Sequence, residues 1–224
     1  MRMPGATLIT RTPLRDEVYR QVLERISNGH LPPGTRVRDS DLAVRLGVSR
    51  TPVREALIRL AREGVLDADM GRGFSVRPLD AVEMRETGAV LANLECLALE
   101  LSGEVPSEHL AKLSEIDRQL AAVRGDPNRC IDLDEQWHRE LLQGCPNGRL
   151  LSLISSLWQV PRRYMRAYLR DAGRVSLSTQ HHAWIIEALR RNDRETAARR
   201  FMRLWQRGIE ELSAWIGRDG HPSA

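Results

Sequence analysis

The sequence predicts a mainly α-helical protein made of an N-terminal winged helix-turn-helix with a small β-wing and a C-terminal all-α antiparallel helical bundle. Two observations predict this fold class. Three short helical patterns and two short strands around a glycine turn fill residues 13–77, whereas residues 78–217 carry only helical patterns. We therefore expect two domains with these bounds, preceded by a flexible arm (residues 1–12) and followed by a flexible tail (residues 218–224).

The composition is that of a folded protein that can bind nucleic acid. The chain has 224 residues, of which 42% are hydrophobic, and a formal net charge of +4. Almost all basic residues are arginine, whose guanidinium binds phosphates and guanine edges bidentately. The three cysteines lie far apart, which predicts free thiols in a reducing compartment. Because neither a membrane-spanning apolar run nor a signal core is found, we expect a soluble cytoplasmic protein without a membrane partner.

Three helical patterns precede the wing. The first covers residues 14–28 and is followed by Gly29, which can adopt the left-handed cap conformation. The second is short, ends at Gly47, and has Asp39 or Ser40 as its predicted N-cap. The third follows directly and buries an apolar stripe: Val53, Ala56, Leu57 and Leu60.

The N-terminus of the third helix is basic and is predicted to be exposed. Arg50 and Arg54 lie four residues apart, so they share one helix face, which differs from the apolar face. A second helix that follows a tight turn in this way inserts its N-terminal side chains into the major groove of DNA. Ser49 and Thr51 can offer hydroxyls, and the helix N-terminus its amides, to a phosphate.

Two short strands follow, residues 65–68 and 74–76, around the turn Gly71-Arg72-Gly73. Arg72 at this wing tip can reach a minor groove or a phosphate. A lone arginine pair on a helix is more often a solvated face. The linked turn, helix and wing favour the DNA interpretation.

Four segments carry a family resemblance by their order and spacing: Pro32-Pro33-Gly34-Thr35, Asp41-Leu42-Ala43, the run from Gly47 to Leu57, and Gly71-Arg72-Gly73-Phe74. Together they resemble the GntR family over about residues 14–77. The resemblance implies a homodimer that binds double-stranded operator DNA, with these residues at the DNA: Arg50, Thr51, Arg54, Gly71 and Arg72. Ser40 stands where many relatives carry another arginine.

The C-terminal part is predicted to contain about six helices. The breaks between them are residues 103–106, 125–127, 145–148, 171–173 and 192–193. Segments within this part resemble the helical effector domain of the FadR branch of the GntR family: Leu94-Glu95, residues 134–138, Asn147, residues 182–189 and Asp193. Many members of that branch hold a divalent metal, often zinc or nickel, with one Asp and three His, and the metal meets the carboxylate of an organic-acid effector.

Three of the four implied metal ligands are present. Asp134 and His138 are one helical turn apart and can hold a single ion, and His182 on a later helix matches the next ligand. Leu204 replaces the last histidine, and Leu91 stands where relatives usually place an effector-binding arginine. Two interpretations follow. Either a metal binds this incomplete set, or Asp134 and His138 form a buried hydrogen-bonded pair, His182 caps a polar pocket, and a more apolar ligand binds without metal.

Two other features of the C-terminal part allow a functional and a structural interpretation. Arg162, Arg163 and Arg166 can supply a carboxylate partner, but an arginine run on a helix is usually a solvated face, which we favour. Cys96 lies in an apolar run and is expected to be a core residue rather than a redox switch.

The sequence therefore predicts a transcription regulator, by family habit a repressor, that binds a palindromic operator as a homodimer and responds to a small carboxylate-bearing metabolite. Two alternatives come from other classes. One is a metal-dependent hydrolase that uses Asp134, His138 and His182. The other is an architectural DNA-binding protein without an effector.

Overall fold

The computed structural model describes residues 14–27, 29–69, 73–123, 126–172 and 179–218. The predicted arm, and the predicted tail beyond its first residue, lie outside the described residues. The chain divides into two compact units, Met1–Arg77 and Pro78–Ala224. In the part of the chain that the structure describes, no helix is both long and apolar enough to cross a lipid bilayer.

The first unit combines three helices with a small antiparallel sheet. Its elements in chain order are α1 (Leu14–Ser27), β1 (Arg36–Val37), α2 (Asp39–Leu46), α3 (Arg50–Arg62), β2 (Leu66–Asp69) and β3 (Gly73–Val76). The strand order is β1-β3-β2, and β2 pairs with β3 from Leu66↔Val76 to Asp69↔Gly73. The sequence did not predict β1, because a strand of two residues is too short to show alternation.

The start of α2 differs from the prediction. Its N-cap is Arg38, and no side chain caps the helix there, whereas Asp39 and Ser40 lie in the first turn. The Asp39 carboxylate accepts the Ser40 backbone N–H at 2.8 Å instead. At the other end Gly47 is left-handed, with a φ of 64°, and its N–H bonds to the carbonyls of Ala43 and Val44.

Apolar side chains from α1, α2, α3 and the sheet form one core in this unit. The predicted stripe of α3 is buried in it: Val53, Ala56, Leu57 and Leu60. From α1 it receives Val18, Val22 and Ile26. This core fixes which face of α3 remains exposed.

The second unit is a bundle of seven described helices. They are α4 (Ala81–Leu101), α5 (Ser107–Ala122), α6 (Pro127–Leu141), α7 (Gly148–Leu157), α8 (Gln159–Ala172), α9 (Thr179–Arg190) and α10 (Arg194–Arg218). The sequence predicted about six helices, and the additional helix arises from a break at Trp158, between α7 and α8. Pro161 in the first turn of α8 has no N–H to donate to the Leu157 carbonyl, so the chain starts a new helix there.

The longest helices of the bundle, α4 and α10, pack along each other. Gly88 of α4 allows this approach. A Cβ at Gly88 would lie 2.6 Å from Cγ1 of Ile209 on α10. A larger residue at this position would therefore require the two helices to separate.

The arginines of α8 do not form a solvated face, so that expectation was wrong. Their side chains are only 7–20% exposed. Arg162 pairs with Asp132 and Glu135 of α6, and Arg163 pairs with Glu83 of α4. These carboxylates pair with the guanidinium groups inside the bundle, so the arginines have protein partners there and are weaker candidates for binding an effector.

Candidate functional site

The N-terminus of α3 presents polar groups to solvent. Ser49 is the N-cap, with an extended backbone, and its side chain makes no capping hydrogen bond. Thr51, in the first turn, is exposed. The Ser49 hydroxyl and the first backbone N–H groups of α3 can therefore bind a phosphate at this helix end.

Arg50 and Arg54 are both exposed, on a face of α3 that lies beside its buried stripe. The Nη2 atom of Arg50 lies 3.1 Å from each carboxylate oxygen of Asp39 on α2. Burial raises the pKa of Asp39, but the hydrogen bond and charge of Arg50 outweigh it and hold that pKa below its ordinary value. Asp39 thus restrains Arg50 at the junction of α2 and α3, and the charge of the exposed Arg54 also lowers the pKa of Asp39, although less than Arg50 does.

The other predicted DNA contacts have different placements. Ser40 is half-buried, and its hydroxyl donates to Asp41 at 3.1 Å. Gly71 and Arg72 lie outside the described residues. The strands that flank them are paired up to Asp69↔Gly73.

In the bundle, the structure brings the three predicted metal ligands together. Asp134 and His138 lie one turn apart on α6, and His182 lies on α9. One ligand atom of each lies within 4.8 Å of the others, and all three residues are buried. The distance between His182 Nε2 and Asp134 Oδ1 is 3.7 Å.

Glu95 of α4 orients His138. Its carboxylate is fully buried and lies 2.7 Å from His138 Nδ1. The indole N–H groups of Trp158 and Trp205 also donate to it, at 2.6 and 2.8 Å. Burial lowers the pKa of His138, but the charge and hydrogen bond of Glu95 raise it more, so that the pKa lies above its ordinary value. A carboxylate with three such donors holds the His138 ring in one orientation.

Asp117 of α5 and Trp137 of α6 orient His182 in a similar way. The Asp117 carboxyl lies 2.7 Å from His182 Nδ1, and the Trp137 ring stacks on the imidazole with centroids 3.6 Å apart. Burial lowers the pKa of His182 to about 3, so its imidazole is neutral near pH 7. Burial also raises the pKa of Asp117 to about 7.

Sequence reasoning missed the orienting roles of Glu95 and Asp117. A signal existed for Glu95, because it is an acidic residue between apolar positions on the inward face of α4. No comparable signal marks Asp117, since its contact with His182 depends on the packing of α5 against α9.

These residues fit a divalent metal ion. Among the described residues, His182 Nε2 is buried without a hydrogen-bond partner, beside Asp134. When the Nδ1–H groups of His138 and His182 donate to Glu95 and Asp117, both Nε2 lone pairs remain available. Carboxylate partners of this kind are typical of metal-ligating histidines. Zinc accepts three protein ligands and keeps a fourth position for water or another small ligand.

A cavity of about 210 Å³ adjoins this cluster. Asp134 and His138 contribute polar atoms to it, while most of its wall is apolar and comes from α8 and α10. Leu204 lies in this wall. Leu91, in contrast, is fully buried in the bundle core. Neither leucine supplies the histidine or arginine that the family resemblance implies at these positions.

A helix-turn-helix with a three-stranded wing, followed in the chain by a helical bundle, is the architecture of a DNA-binding transcription regulator. The sequence model of the family described as "Bacterial regulatory proteins, gntR family" matches residues 14–76, and that of the FCD domain matches residues 86–207. The chain belongs to the GntR family, in the FadR-like branch that carries an FCD domain. This family consists of transcription regulators and not enzymes, so the hydrolase alternative is set aside.

Relatives match over most of the chain. The HTH-type transcriptional regulator McbR of Escherichia coli (strain K12) is 27% identical over 216 residues, covering 94% of this chain and 97% of McbR. The Nta operon transcriptional regulator of Aminobacter aminovorans is 32% identical over 172 residues, or 75% and 80% of the two chains. The HTH-type transcriptional repressor RspR of E. coli (strain K12) is 24% identical over 190 residues, or 84% and 83%.

A solved structure of E. coli McbR/YncC has the same fold. It matches with a TM-score of 0.75 and 24% sequence identity, covering 92% of this chain and 99% of that one. This likeness shows the fold alone.

Proposed function

We propose that this protein is a repressor that binds a palindromic operator as a homodimer and releases it when a small carboxylate-bearing metabolite binds the helical domain. The observation that carries the proposal is the N-terminus of α3, where Arg50, Thr51 and Arg54 are exposed above a fully buried apolar stripe. A regulator of this kind works at the bacterial chromosome, in the cytoplasm.

DNA recognition has two components in this proposal. Arg54 reads a base edge in the major groove, since its guanidinium is exposed and can bind guanine bidentately. Arg50, Ser49 and Thr51 position the helix on phosphates and do not determine sequence. Arg72 of the wing is proposed to contact the minor groove or the backbone.

Dimerisation is proposed to involve the helical domain. Four apolar side chains of α4 are 43–52% exposed at helical spacing: Val82, Val90, Leu97 and Leu101. The opposite face of α4 packs on α10, so this exposed stripe is available to a second copy of the chain. A single recognition helix reads too few bases for an operator, which is why two copies are required.

The effector site is proposed to hold zinc or nickel on Asp134, His138 and His182. A bound ion would supply an electrophilic site for the effector carboxylate, because Leu204 offers no fourth protein ligand. Glu95 and Asp117 fix the two imidazoles in the tautomer that such an ion requires. The ligand-bound bundle then favours an arrangement of the dimer with lower operator affinity.

The test is fluorescence anisotropy with DNA from upstream of the gene and with scrambled DNA, across a salt series. Arg54→Ala is expected to cost about 1–3 kcal/mol on upstream DNA and to reduce the preference over scrambled DNA. Arg62→Ala is the matched control, because it removes the same charge from the C-terminal turn of α3, where the side chain is also exposed.

Two outcomes would contradict the proposal. If Arg54→Ala and Arg62→Ala lower the affinity for upstream and scrambled DNA by the same factor, α3 does not read the DNA sequence. The architectural alternative is favoured if the wild-type protein shows two properties together. It would bind upstream and scrambled DNA with equal affinity, and it would bind a half-site with the same affinity as the full palindrome.

A further inference from the structure

We infer that Tyr164 of α8 is a positioning residue that holds the first turn of α4 in place, and that an occupant of the bundle cavity weakens this hold. The inference rests on the proposed function, because the first turn of α4 closely follows the boundary between the two units. Three observations carry it: the hydrogen bonds of the Tyr164 hydroxyl, the apolar cluster around Tyr164, and the residues that this cluster shares with the cavity wall.

The Tyr164 hydroxyl binds the residue at which α4 begins. Tyr164 is fully buried, and its hydroxyl accepts the backbone N–H of Asp80 at 2.9 Å. The same hydroxyl can donate to the Asp80 carbonyl, at 2.9 Å, or to Oε2 of Glu83, at 2.5 Å. Asp80 is the N-cap of α4, and its carboxylate accepts the backbone N–H of Val82. One side chain of α8 thus holds the backbone of the N-cap residue of α4.

The hydroxyl has two alternative hydrogen-bonded arrangements. It carries one proton and has two acceptors, so it donates either to the Asp80 carbonyl or to the Glu83 carboxylate. Burial and the hydrogen bond to Glu83 raise the pKa of Tyr164, so the hydroxyl keeps its proton near neutral pH. Arg163 also donates to Glu83, so that carboxylate stays paired in both arrangements. The two arrangements therefore differ in how firmly Asp80 is held, and neither leaves the Glu83 charge unpaired.

Tyr164 also lies in an apolar cluster with the start of α4. The buried members of this cluster come from α4, α8, α10 and the residue before the N-cap: Leu79, Met84, Tyr164, Leu212, Trp215 and Ile216. The boundary between the two units lies between Arg77 and Pro78, so Leu79 is the second residue of the second unit. The cluster and the Tyr164 hydroxyl thus fix two consecutive residues, Leu79 and Asp80, directly after this boundary.

The same cluster forms part of the wall of the cavity. Met84 and Leu212 line the cavity, and so do three partly buried residues that pack against the cluster: Met165, Tyr168 and Ile209. Because side chains in a close-packed interior cannot move independently, a molecule that displaces Met84 or Met165 changes the packing around Tyr164. This effect depends on the volume that the molecule occupies and requires no particular charge. The cavity and the N-cap of α4 are therefore linked through one cluster.

Amide hydrogen exchange of the full chain tests the role of Tyr164. Tyr164→Phe removes only the hydroxyl, so exchange of the amides in residues 79–84 is expected to become about tenfold faster. Tyr168→Phe is the matched control, because it removes a hydroxyl from the same helix that donates to Glu211 of α10 instead. Its exchange over residues 79–84 is expected to stay within about twofold of the wild-type rate. Equal exchange rates of the two variants over this segment would overturn the inference.

Fluorescence anisotropy separates a positioning role from a purely structural one. Only the palindrome requires two correctly placed copies of α3, so Tyr164→Phe is expected to lower palindrome affinity at least about fivefold. Half-site affinity is expected to stay within about twofold, and analytical ultracentrifugation is expected to show the same dimer as for the wild-type protein. Unchanged palindrome affinity, an equal loss on the half-site, or loss of the dimer would overturn the inference.

A side chain placed in the cavity tests the effect of an occupant without an identified ligand. Gly208 of α10 lines the cavity, and a Cβ built on it meets no described atom within 4 Å, so Gly208→Leu extends into open space. This variant is expected to reproduce both effects of Tyr164→Phe: faster exchange over residues 79–84 and lower palindrome affinity. The comparison remains valid if Tyr164→Phe does not fold.

Gly217→Leu is the matched control for this variant. It makes the same change on the same helix, where a Cβ also meets no described atom within 4 Å and the residue is exposed. Gly217→Leu is expected to match the wild-type protein in exchange over residues 79–84 and in palindrome affinity. Gly208→Leu that behaves like Gly217→Leu would overturn the inference.

The double variant Tyr164→Phe/Gly208→Leu tests whether the cavity acts through Tyr164. If it does, the double variant is expected to lose no more palindrome affinity than the weaker-binding single variant, within about twofold. Losses that multiply would overturn the inference, because the cavity would then act by another route. Hydrogen exchange uses no DNA, so this inference and the proposed function fail separately. Exchange differences as expected, in a protein that does not prefer the palindrome, reject only the proposed function.

Discussion

The two candidate sites of this protein are built in opposite ways. The DNA-reading surface comes from six neighbouring residues, 49–54, and its polar side chains are exposed. The bundle site combines side chains from four helices that are buried or half-buried: Glu95, Asp117, Asp134, His138 and His182. The exposed groups are candidates for contact with a partner outside the chain, whereas the buried groups depend on one another.

This difference determines what a substitution changes. Water screens the exposed arginines of α3, so we expect the removal of one to change DNA affinity and to leave the free energy of unfolding nearly unchanged. In the bundle, removing one partner leaves another polar group buried and unpaired, which costs stability or ligand affinity.

Glu95→Ala is expected to have the largest effect. It removes the acceptor of His138 and of the indole N–H groups of Trp158 and Trp205 inside the bundle. Breaking a buried interaction of this kind costs about 3–5 kcal/mol. Urea denaturation followed by circular dichroism measures the loss as a change in the free energy of unfolding.

Glu100→Ala is the control for this prediction. Glu100 lies on the same helix, but its side chain is exposed, so its removal is expected to change the free energy of unfolding by less than about 0.5 kcal/mol. Equal losses in the two variants would mean that Glu95 does not organise the site.

Asp117→Asn is expected to lower the affinity of the bundle site for a metal ion. An asparagine at this position cannot hold the His182 Nδ1–H as a carboxylate does, and its amide can turn to donate to the ring instead. Loss of such an orienting partner lowers metal affinity about 10–100-fold. Competition with a chromophoric zinc chelator measures this change.

The matched control is Glu115→Gln, which changes an acidic residue two positions earlier on α5, where the side chain is 44% exposed. It is expected to leave zinc affinity unchanged. A similar affinity in Asp117→Asn and Glu115→Gln would argue that His182 is not held for a metal.

The same contrast explains how much the sequence could predict. Apart from β1, the elements of the first unit follow from local signals: apolar spacing, the turn at Gly47 and the glycines of the wing. The basic N-terminus of α3 is contiguous in sequence, so its residues could be named directly. Asp134 and His138 could be paired for the same reason, since one helical turn separates them.

Contacts between distant helices could not be predicted in this way. Asp117 and His182 are 65 residues apart, and nothing local to either residue indicates their contact. Arginine usually lies on the protein surface, yet Arg163 is buried because Glu83, 80 residues earlier, pairs with it. Such pairings depend on which helices become neighbours, and periodicity within one helix carries no information about that.

The smallest expected effect concerns Asp39, which joins the two helices of the DNA-reading surface. Asp39→Asn removes the carboxylate that holds Arg50 and a negative charge that repels phosphates. Surface ion pairs contribute about 0.2–1 kcal/mol, so affinity for scrambled DNA is expected to rise by up to about fivefold. Because the released Arg50 can contact one more phosphate, the plot of log binding constant against log salt concentration should become steeper by about one unit of slope.

Asp41→Asn separates these two causes. It removes an exposed negative charge from the same helix, and its partner is Ser40 rather than an arginine. If Asp39 acts through Arg50, anisotropy across a salt series will show a larger increase for Asp39→Asn than for Asp41→Asn, and the difference will vanish when Arg50→Ala is added to both. Equal increases would mean that only the net charge matters here. The DNA-reading surface would then contain no internal contact comparable to those of the bundle site.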